Sequence, residues 1–148
     1  SAFRRLVVFD IADPTAPFVA GTYEVNDLHD GYANGFAING SYLYLATAYA
    51  LAVLDISNPP TPVEVAYYVH PEFSDTLDVA LAGQVAYVPD YGGRGIFVLD
   101  VSNPAAPSEL RRYLDPPGWA GAPDPNVFAH GGYLYYGEES HGMYIYGP

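Results

Sequence analysis

Acidic, histidine and aromatic side chains are concentrated in the long polar segments that separate the predicted strands. These residues are Asp27, His29, Asp30, Tyr32, Asp75, Asp78, Asp90, Tyr91, Trp119, Glu138 and His141. Carboxylate oxygens are the ligands that Ca²⁺ and Mg²⁺ prefer, and exposed aromatic rings beside carboxylates could stack on a sugar. The sequence therefore suggests two functions: a non-catalytic structural or interaction module, which we favour, and, as the alternative, a domain whose acidic loop face binds a cation or a carbohydrate.

A second set of side chains from the same segments would suit zinc or another transition ion. It comprises His29, His70, Asp90, Glu138 and His141, which offer imidazole nitrogens and carboxylate oxygens. The spacing gives no local support, because the chain contains neither His-Glu-x-x-His nor the acidic calcium loop. The alternative is a solvated acidic surface with no bound ion, and no cofactor is required.

Catalytic motifs are missing from the sequence. There is no Gly-x-Ser-x-Gly, phosphate loop or dinucleotide fingerprint, and neighbouring acids such as Glu138 and Glu139 would point to opposite sides of an extended chain. The chain has no cysteine, which excludes disulfides, thiolate zinc sites and cysteine nucleophiles. We therefore expect a protein that is not an enzyme.

The strongly negative net charge argues against nucleic acids and anionic membranes as partners. The chain of 148 residues has 17 acidic residues and five basic ones, a net charge of −12, so a nucleic acid or an anionic membrane would be repelled. No apolar run approaches the roughly 20 residues that span a bilayer. The expected partners are another protein or copies of this chain, without nucleic acid or membrane insertion.

The strands that position these side chains are revealed by an internal repeat. The pattern Asp-x-Ser-Asn-Pro-x-x-Pro occupies residues 55–62 and 100–107, and a variant with Ala-Asp in place of Ser-Asn occupies residues 10–17. Each copy starts 45 residues after the previous one and follows an apolar strand. The aspartate can accept backbone N–H groups two residues on, and the prolines end one strand and start the next, so these aspartates are predicted to be structural.

A glycine turn that feeds a strand lies in the middle of each repeat, beginning at Gly40, Gly83 and Gly131. With this turn, each repeat contains four short strands, which are apolar on both faces. In one repeat the strands are predicted near residues 35–39, 42–46, 51–56 and 63–69, and the first strand of the next repeat is predicted near residues 77–82. A period of about 45 residues with four strands is typical of a β-propeller blade packed between two others. The predicted fold is all-β, with four-stranded antiparallel blades.

The predicted blades form an open arc. They are a partial blade at 1–23, blades at 24–70 and 71–114, and a partial blade at 115–148, roughly three blades where closed propellers have four to eight. Because the chain starts within the motif, we expect it to be processed or truncated. Either it belongs to a larger propeller, or copies join head to tail in a ring or filament.

The repeats resemble a known family. The apolar strand that runs into Leu54-Asp55-Ile56-Ser57-Asn58-Pro59, with Gly-x-x-x-Tyr-Val at residues 83–88, is similar to the LVIVD-repeat family of bacterial and archaeal surface propellers. The resemblance implies a propeller on a secreted or surface-anchored protein, usually without an assigned activity. The expected location is therefore extracellular or at the cell surface. The fourth copy departs from the pattern, with Gly147 in place of the aspartate.

One modification motif is present. Asn39-Gly40-Ser41 fits the acceptor pattern for N-glycosylation, and Asn-Gly between two strands is also a common hairpin turn pair. Asn39 is therefore a glycosylation candidate at a position that a turn alone explains.

Overall fold

The computed structural model describes residues 5–25, 32–76, 78–91, 94–114, 125–138 and 142–147. Over these residues the chain forms thirteen β-strands. Their bounds are β1 Arg5–Asp10, β2 Phe18–Glu24, β3 Ala33–Asn39, β4 Tyr42–Thr47, β5 Ala50–Asp55, β6 Val63–Val69, β7 Ala80–Ala82, β8 Val85–Asp90, β9 Gly95–Asp100, β10 Ser108–Tyr113, β11 Asn126–His130, β12 Tyr133–Glu138 and β13 Gly142–Tyr146.

The strands form four sheets in which neighbours in sequence pair antiparallel. We name them the N-terminal sheet (β1 and β2), the first full blade (β3 to β6), the second full blade (β7 to β10) and the C-terminal sheet (β11 to β13). The arrangement confirms the predicted all-β fold of four-stranded blades in an open arc. Within the described residues, no helix is long and apolar enough to cross a membrane.

Two local features of the sequence explain where the strands turn. Gly40, Gly83 and Gly131 have φ angles of 58°, 61° and 60°, the left-handed region that tight two-residue hairpins require. The carboxylates of Asp55 and Asp100 each accept the backbone N–H two residues on, at 2.8 Å. The predicted structural role of the repeat aspartates is thus confirmed at both.

The apolar core lies between the sheets. In the first full blade, Leu43, Leu45, Ala52 and Leu54 pack toward Leu6 and Tyr23 of the N-terminal sheet. The opposite face carries Tyr44, Ala46, Leu51 and Val53, which pack against Ala86, Val88, Phe97 and Leu99 of the second full blade. We call the side that looks toward the next sheet the forward face and the other side the rear face. Each junction therefore joins a forward face to a rear face.

Candidate functional site

The predicted acidic loop face is described in part. Tyr32, Asp75, Asp78, Asp90 and Tyr91 lie among the described residues, and Glu138 ends β12. The remaining predicted ligands lie outside the described residues and are Asp27, His29, Asp30, Trp119 and His141. The ligand-binding role of the set stays a prediction.

Asp90 ends β8 and its side chain is 1% exposed. One carboxylate oxygen accepts the Ser74 hydroxyl at 2.6 Å, and the other accepts the backbone N–H groups of Ser74 and Asp75 at 2.8 and 3.2 Å. The backbone N–H of Tyr91 in turn donates to the Asp75 carbonyl at 2.9 Å. Buried carboxylates are stable when such donors surround them, so Asp90 holds the 74–76 segment against β8.

Asp78 lies just before β7 and joins neighbouring sheets. Its Oδ1 accepts the backbone N–H of Val79 at 2.8 Å, and its Oδ2 accepts that of Val127 in the C-terminal sheet at 3.0 Å. A Cβ at Gly35 of the first full blade would lie 2.2 Å from Oδ1, so only glycine fits there. Asp78 therefore lies where three sheets meet.

His70, part of the predicted transition-metal set, sits in the junction between the two full blades. Its Nδ1 accepts the backbone N–H of Glu72 at 3.1 Å, and its Nε2 lies 2.9 Å from a Glu109 carboxylate oxygen. The ring packs 5.5 Å from Phe73 and 4.9 Å from Phe97, measured between ring centroids. Both ring nitrogens thus have protein partners. In the described part of the chain, no three histidine or acidic side chains are grouped so that they could hold a metal ion.

The same junction contains a charge cluster that the sequence analysis missed. Arg112 Nη1 lies 2.5 Å from Glu72 Oε2, and its guanidinium lies 4.3 Å from the centre of the Phe97 ring. Arg94 donates to the Glu72 carbonyl at 2.6 Å. The hydrogen bond from Arg112 lowers the pKa of Glu72. The signal that could have found it is the repeat period, because residues about one period apart lie on adjacent blades.

Three predicted residues are exposed at the surface. The rings of Tyr32 and Tyr91 are open to solvent. Asn39 is also exposed, and its Nδ2 donates to the Gly83 carbonyl of the second full blade at 2.8 Å. Carbohydrate stacking on the tyrosines and glycosylation of Asn39 both stay predictions.

Apolar side chains are exposed on the outer faces of the N-terminal and C-terminal sheets. On the rear face of the N-terminal sheet, Val7 and Phe9 are 38% and 56% exposed. On the forward face of the C-terminal sheet, Met143 and Ile145 are 69% and 57% exposed, and Phe128 is also exposed. Exposed apolar surface of this kind marks a protein interaction site. The two faces are the same kind of surface as those that pack between neighbouring blades inside the described fold.

Comparison with known proteins supports both the repeat and the fold. A family model described as the LVIVD repeat matches residues 2–25, 30–69 and 74–115. No curated protein sequence matches the chain. A chain in the crystal structure of a mitotic checkpoint complex, a WD40 propeller, aligns with a TM-score of 0.71 at 14% identity. The alignment covers 98% of this chain and 41% of that one, and at this identity it shows the fold alone.

Proposed function

Because the chain belongs to the LVIVD-repeat family, we propose that it is a non-catalytic protein-interaction module on the outside of a cell. Its interaction surfaces are the two open blade faces. They are covered by blades of the same kind, either as part of a larger propeller or in an assembly of copies. A propeller fold alone does not fix a function, so the proposal depends on these faces.

The observation that carries the proposal is the contrast between equivalent positions. Ile145 on the forward face of the C-terminal sheet is 57% exposed, whereas its equivalent in the first full blade, Val53, is 0% exposed. Burying a Val or Ile side chain fully is worth about 1.5–3 kcal/mol. Several such side chains on each open face provide a driving force for covering it with protein.

The polar residues support a non-catalytic role. Asp78 and Asp90 use their carboxylate oxygens to hold backbone groups, and both ring nitrogens of His70 contact neighbouring residues. A general acid or base needs to reach a substrate proton, and these three groups are already occupied within the fold. They therefore serve blade packing in this proposal.

The extracellular location is supported by composition and by the family. A net charge of −12 keeps a domain soluble and discourages nonspecific association. The absence of lysine-rich or arginine-rich segments fits a partner that is neither nucleic acid nor an anionic membrane. The resemblance to the surface propellers of the LVIVD-repeat family points to an extracellular or cell-surface location.

Photo-crosslinking tests the proposal. The chain would carry benzoylphenylalanine in place of Phe9 or Ile145, or in place of Leu110 as an exposed control on the outer strand β10. It would be irradiated alone and with secreted proteins of a cell that makes other LVIVD-repeat proteins. We expect adducts from the two face positions whose peptides contain an LVIVD repeat. Adducts no more frequent than at position 110, or peptides without the repeat, would overturn the proposal.

A further inference from the structure

His70 closes a backbone turn at the start of the connection from the first full blade to the second. Its Nδ1 accepts the backbone N–H of Glu72 at 3.1 Å, and its carbonyl accepts the backbone N–H of Phe73 at 3.0 Å. We call residues 70–73 the histidine turn. We propose that this turn is a pH-sensitive switch, which neutral His70 holds against the second full blade and protonated His70 releases. The inference goes beyond the proposed function, because the turn lies between two four-stranded blades and does not involve the outer faces of the N-terminal and C-terminal sheets.

The repeats contain the same local bond with a different acceptor. Asp10, Asp55 and Asp100 each accept the backbone N–H two residues on, at 2.9, 2.8 and 2.8 Å. A carboxylate keeps accepting until the pH falls to about 4. An imidazole nitrogen stops accepting when it gains a proton, which for histidine occurs between about pH 5 and pH 8. Mildly acidic pH can therefore open the histidine turn while the aspartate turns stay closed.

The position of the proton on neutral His70 is fixed by Glu109. Nε2 lies 2.9 Å from a Glu109 carboxylate oxygen, and an ionised carboxylate only accepts, so Nε2 carries the N–H and Nδ1 is the acceptor that Glu72 uses. A second proton therefore goes onto Nδ1. There it faces the N–H of Glu72, and two N–H groups cannot hydrogen-bond each other. Because both ring nitrogens are bonded within the protein, the ring has no position for a metal ion.

Titratable and charged side chains lie around the ring and the side chains that it contacts. They are Glu109 and Arg112 of β10, Arg94 just before β9, Glu72 of the turn itself, Tyr68 of β6 and Asp90 of β8. Glu109 and Glu72 attract a protonated imidazole, and the two arginines repel it. The direct contact is with Glu109, and it becomes a charge-assisted hydrogen bond when His70 is protonated. The ring therefore stays on β10, and the turn moves away from Nδ1.

Movement of the turn breaks the contacts that hold it on the second full blade. Glu72 makes two of them, since its carbonyl accepts a hydrogen bond from Arg94 at 2.6 Å and its carboxylate accepts one from Arg112 at 2.5 Å. Phe73 is 7% exposed and packs edge-on against Phe97, with 4.8 Å between the ring centroids. Acidic pH therefore uncovers an aromatic ring and releases two arginines at the junction between the full blades.

An NMR titration of the full chain from about pH 8 to about pH 5, which follows backbone amides and the His70 imidazole together, tests this inference. We expect the Glu72 amide proton to move upfield with the same midpoint as the imidazole signals. The hydrogen-exchange protection factors of the Glu72 and Phe73 amides should fall about threefold to tenfold, which corresponds to the loss of one hydrogen bond. The Ser57 and Ser102 amides, which bond to repeat aspartates, should not change.

His70→Asn is the matched variant. Its side-chain oxygen can accept the Glu72 N–H, as the aspartates do in the repeat turns, and the asparagine side chain does not titrate. The Glu72 and Phe73 amides should therefore keep their shifts and protection factors across the whole titration. A spectrum at pH 8 that matches the unmodified chain outside residues 68–76 verifies that the variant is folded.

Three results would overturn the inference. The first is a His70 ring that titrates while the Glu72 amide stays unchanged, and the second is a ring that remains neutral at pH 5. The third is the same change of the Glu72 amide in His70→Asn, which would assign it to another titrating group. None of these results bears on the outer faces of the N-terminal and C-terminal sheets, so the crosslinking experiment tests the proposed function separately.

Discussion

Asp78 accepts the backbone N–H of Val127 through Oδ2 at 3.0 Å, a bond between residues 49 positions apart in the chain. The bond joins the second full blade to the C-terminal sheet where their first strands, β7 and β11, begin. The repeat places Gly35, Asp78 and Asn126 at equivalent positions, five residues before the hairpin glycines Gly40, Gly83 and Gly131. Only the second full blade has a carboxylate there, and it contacts the sheets on both sides.

Asp78→Ala should therefore destabilise the fold. The substitution removes the acceptor of the Val79 and Val127 N–H groups, and hydrogen bonds to a charged group are worth about 1.5–3 kcal/mol each. Because the side chain is half-buried, we expect a loss near the lower end of that range in urea unfolding. Asp13→Ala is the matched control, since its carboxylate bonds only to Thr15 in an exposed loop. An equal loss from both variants would contradict the junction role of Asp78.

The sequence predicted the blades well because their signals are local and repeated. The hairpin glycines, the apolar strands and the Asp-x-Ser-Asn-Pro segment each depend on neighbouring residues, so β4, β5 and β6 begin and end within one residue of the predicted bounds. The strand β7 is shorter than expected, starting at Ala80 and not near residue 77. There, Asp78 uses its side chain to bond the backbone, which a pattern of apolar residues does not reveal.

The site was harder to predict because its contacts cross from one blade to the next. The Glu72–Arg112 and His70–Glu109 pairs join residues 40 and 39 positions apart, and the sequence analysis predicted neither pair. The hypothesis of a ligand site for His70, Asp78 and Asp90 was based on residue type. Residue type alone does not distinguish a free carboxylate from one that already holds backbone N–H groups.

Asp90→Ala should cost more stability than Asp90→Asn. The alanine leaves the Ser74 hydroxyl and two backbone N–H groups without their acceptor inside the fold, and each buried unsatisfied group costs about 1–3 kcal/mol. Asparagine keeps the shape of the side chain and one acceptor oxygen, so Asp90→Asn should lower the free energy of unfolding by less than Asp90→Ala. Urea unfolding of both variants and the unmodified chain, with Ca²⁺ and with EDTA, measures the difference. If Asp90 instead bound a cation, EDTA would destabilise the unmodified chain. The difference in free energy of unfolding between the unmodified chain and the variants would then shrink when EDTA is present.

The lowered pKa values of two repeat aspartates lead us to expect that acid destabilises the fold. Hydrogen bonds from Ser57 and Ser102 lower the pKa of Asp55 and Asp100 in the folded chain. A carboxyl whose folded pKa is depressed stabilises the fold above its unfolded pKa, about 3.9, and that contribution is lost as the pH falls through the folded pKa.

The double variant Asp55→Asn, Asp100→Asn should therefore be less stable near neutral pH and should lose less stability between pH 5 and pH 2. Urea unfolding at a series of pH values gives, for the unmodified chain and for the double variant, the slope of the free energy of unfolding against pH. The difference in slope should persist in about 0.5 M salt, because its cause is a short hydrogen bond and not a long-range charge effect. Parallel slopes for the two proteins would show that these carboxylates do not drive the acid response.

Gly21→Ala should loosen the N-terminal sheet from the first full blade. A Cβ at Gly21 would lie 2.0 Å from the Pro60 carbonyl oxygen, so the backbone of β2 or of the 55–62 segment must shift, and overpacking of this kind costs about 1–3 kcal/mol. The matched control is Gly137→Ala in β12, where the nearest atom would be 3.9 Å away. Hydrogen–deuterium exchange should show faster exchange of the β1 and β2 amides in Gly21→Ala, with those of β8 and β9 unchanged. Unchanged exchange in β1 and β2 would mean that the N-terminal sheet does not depend on this close contact with Pro60.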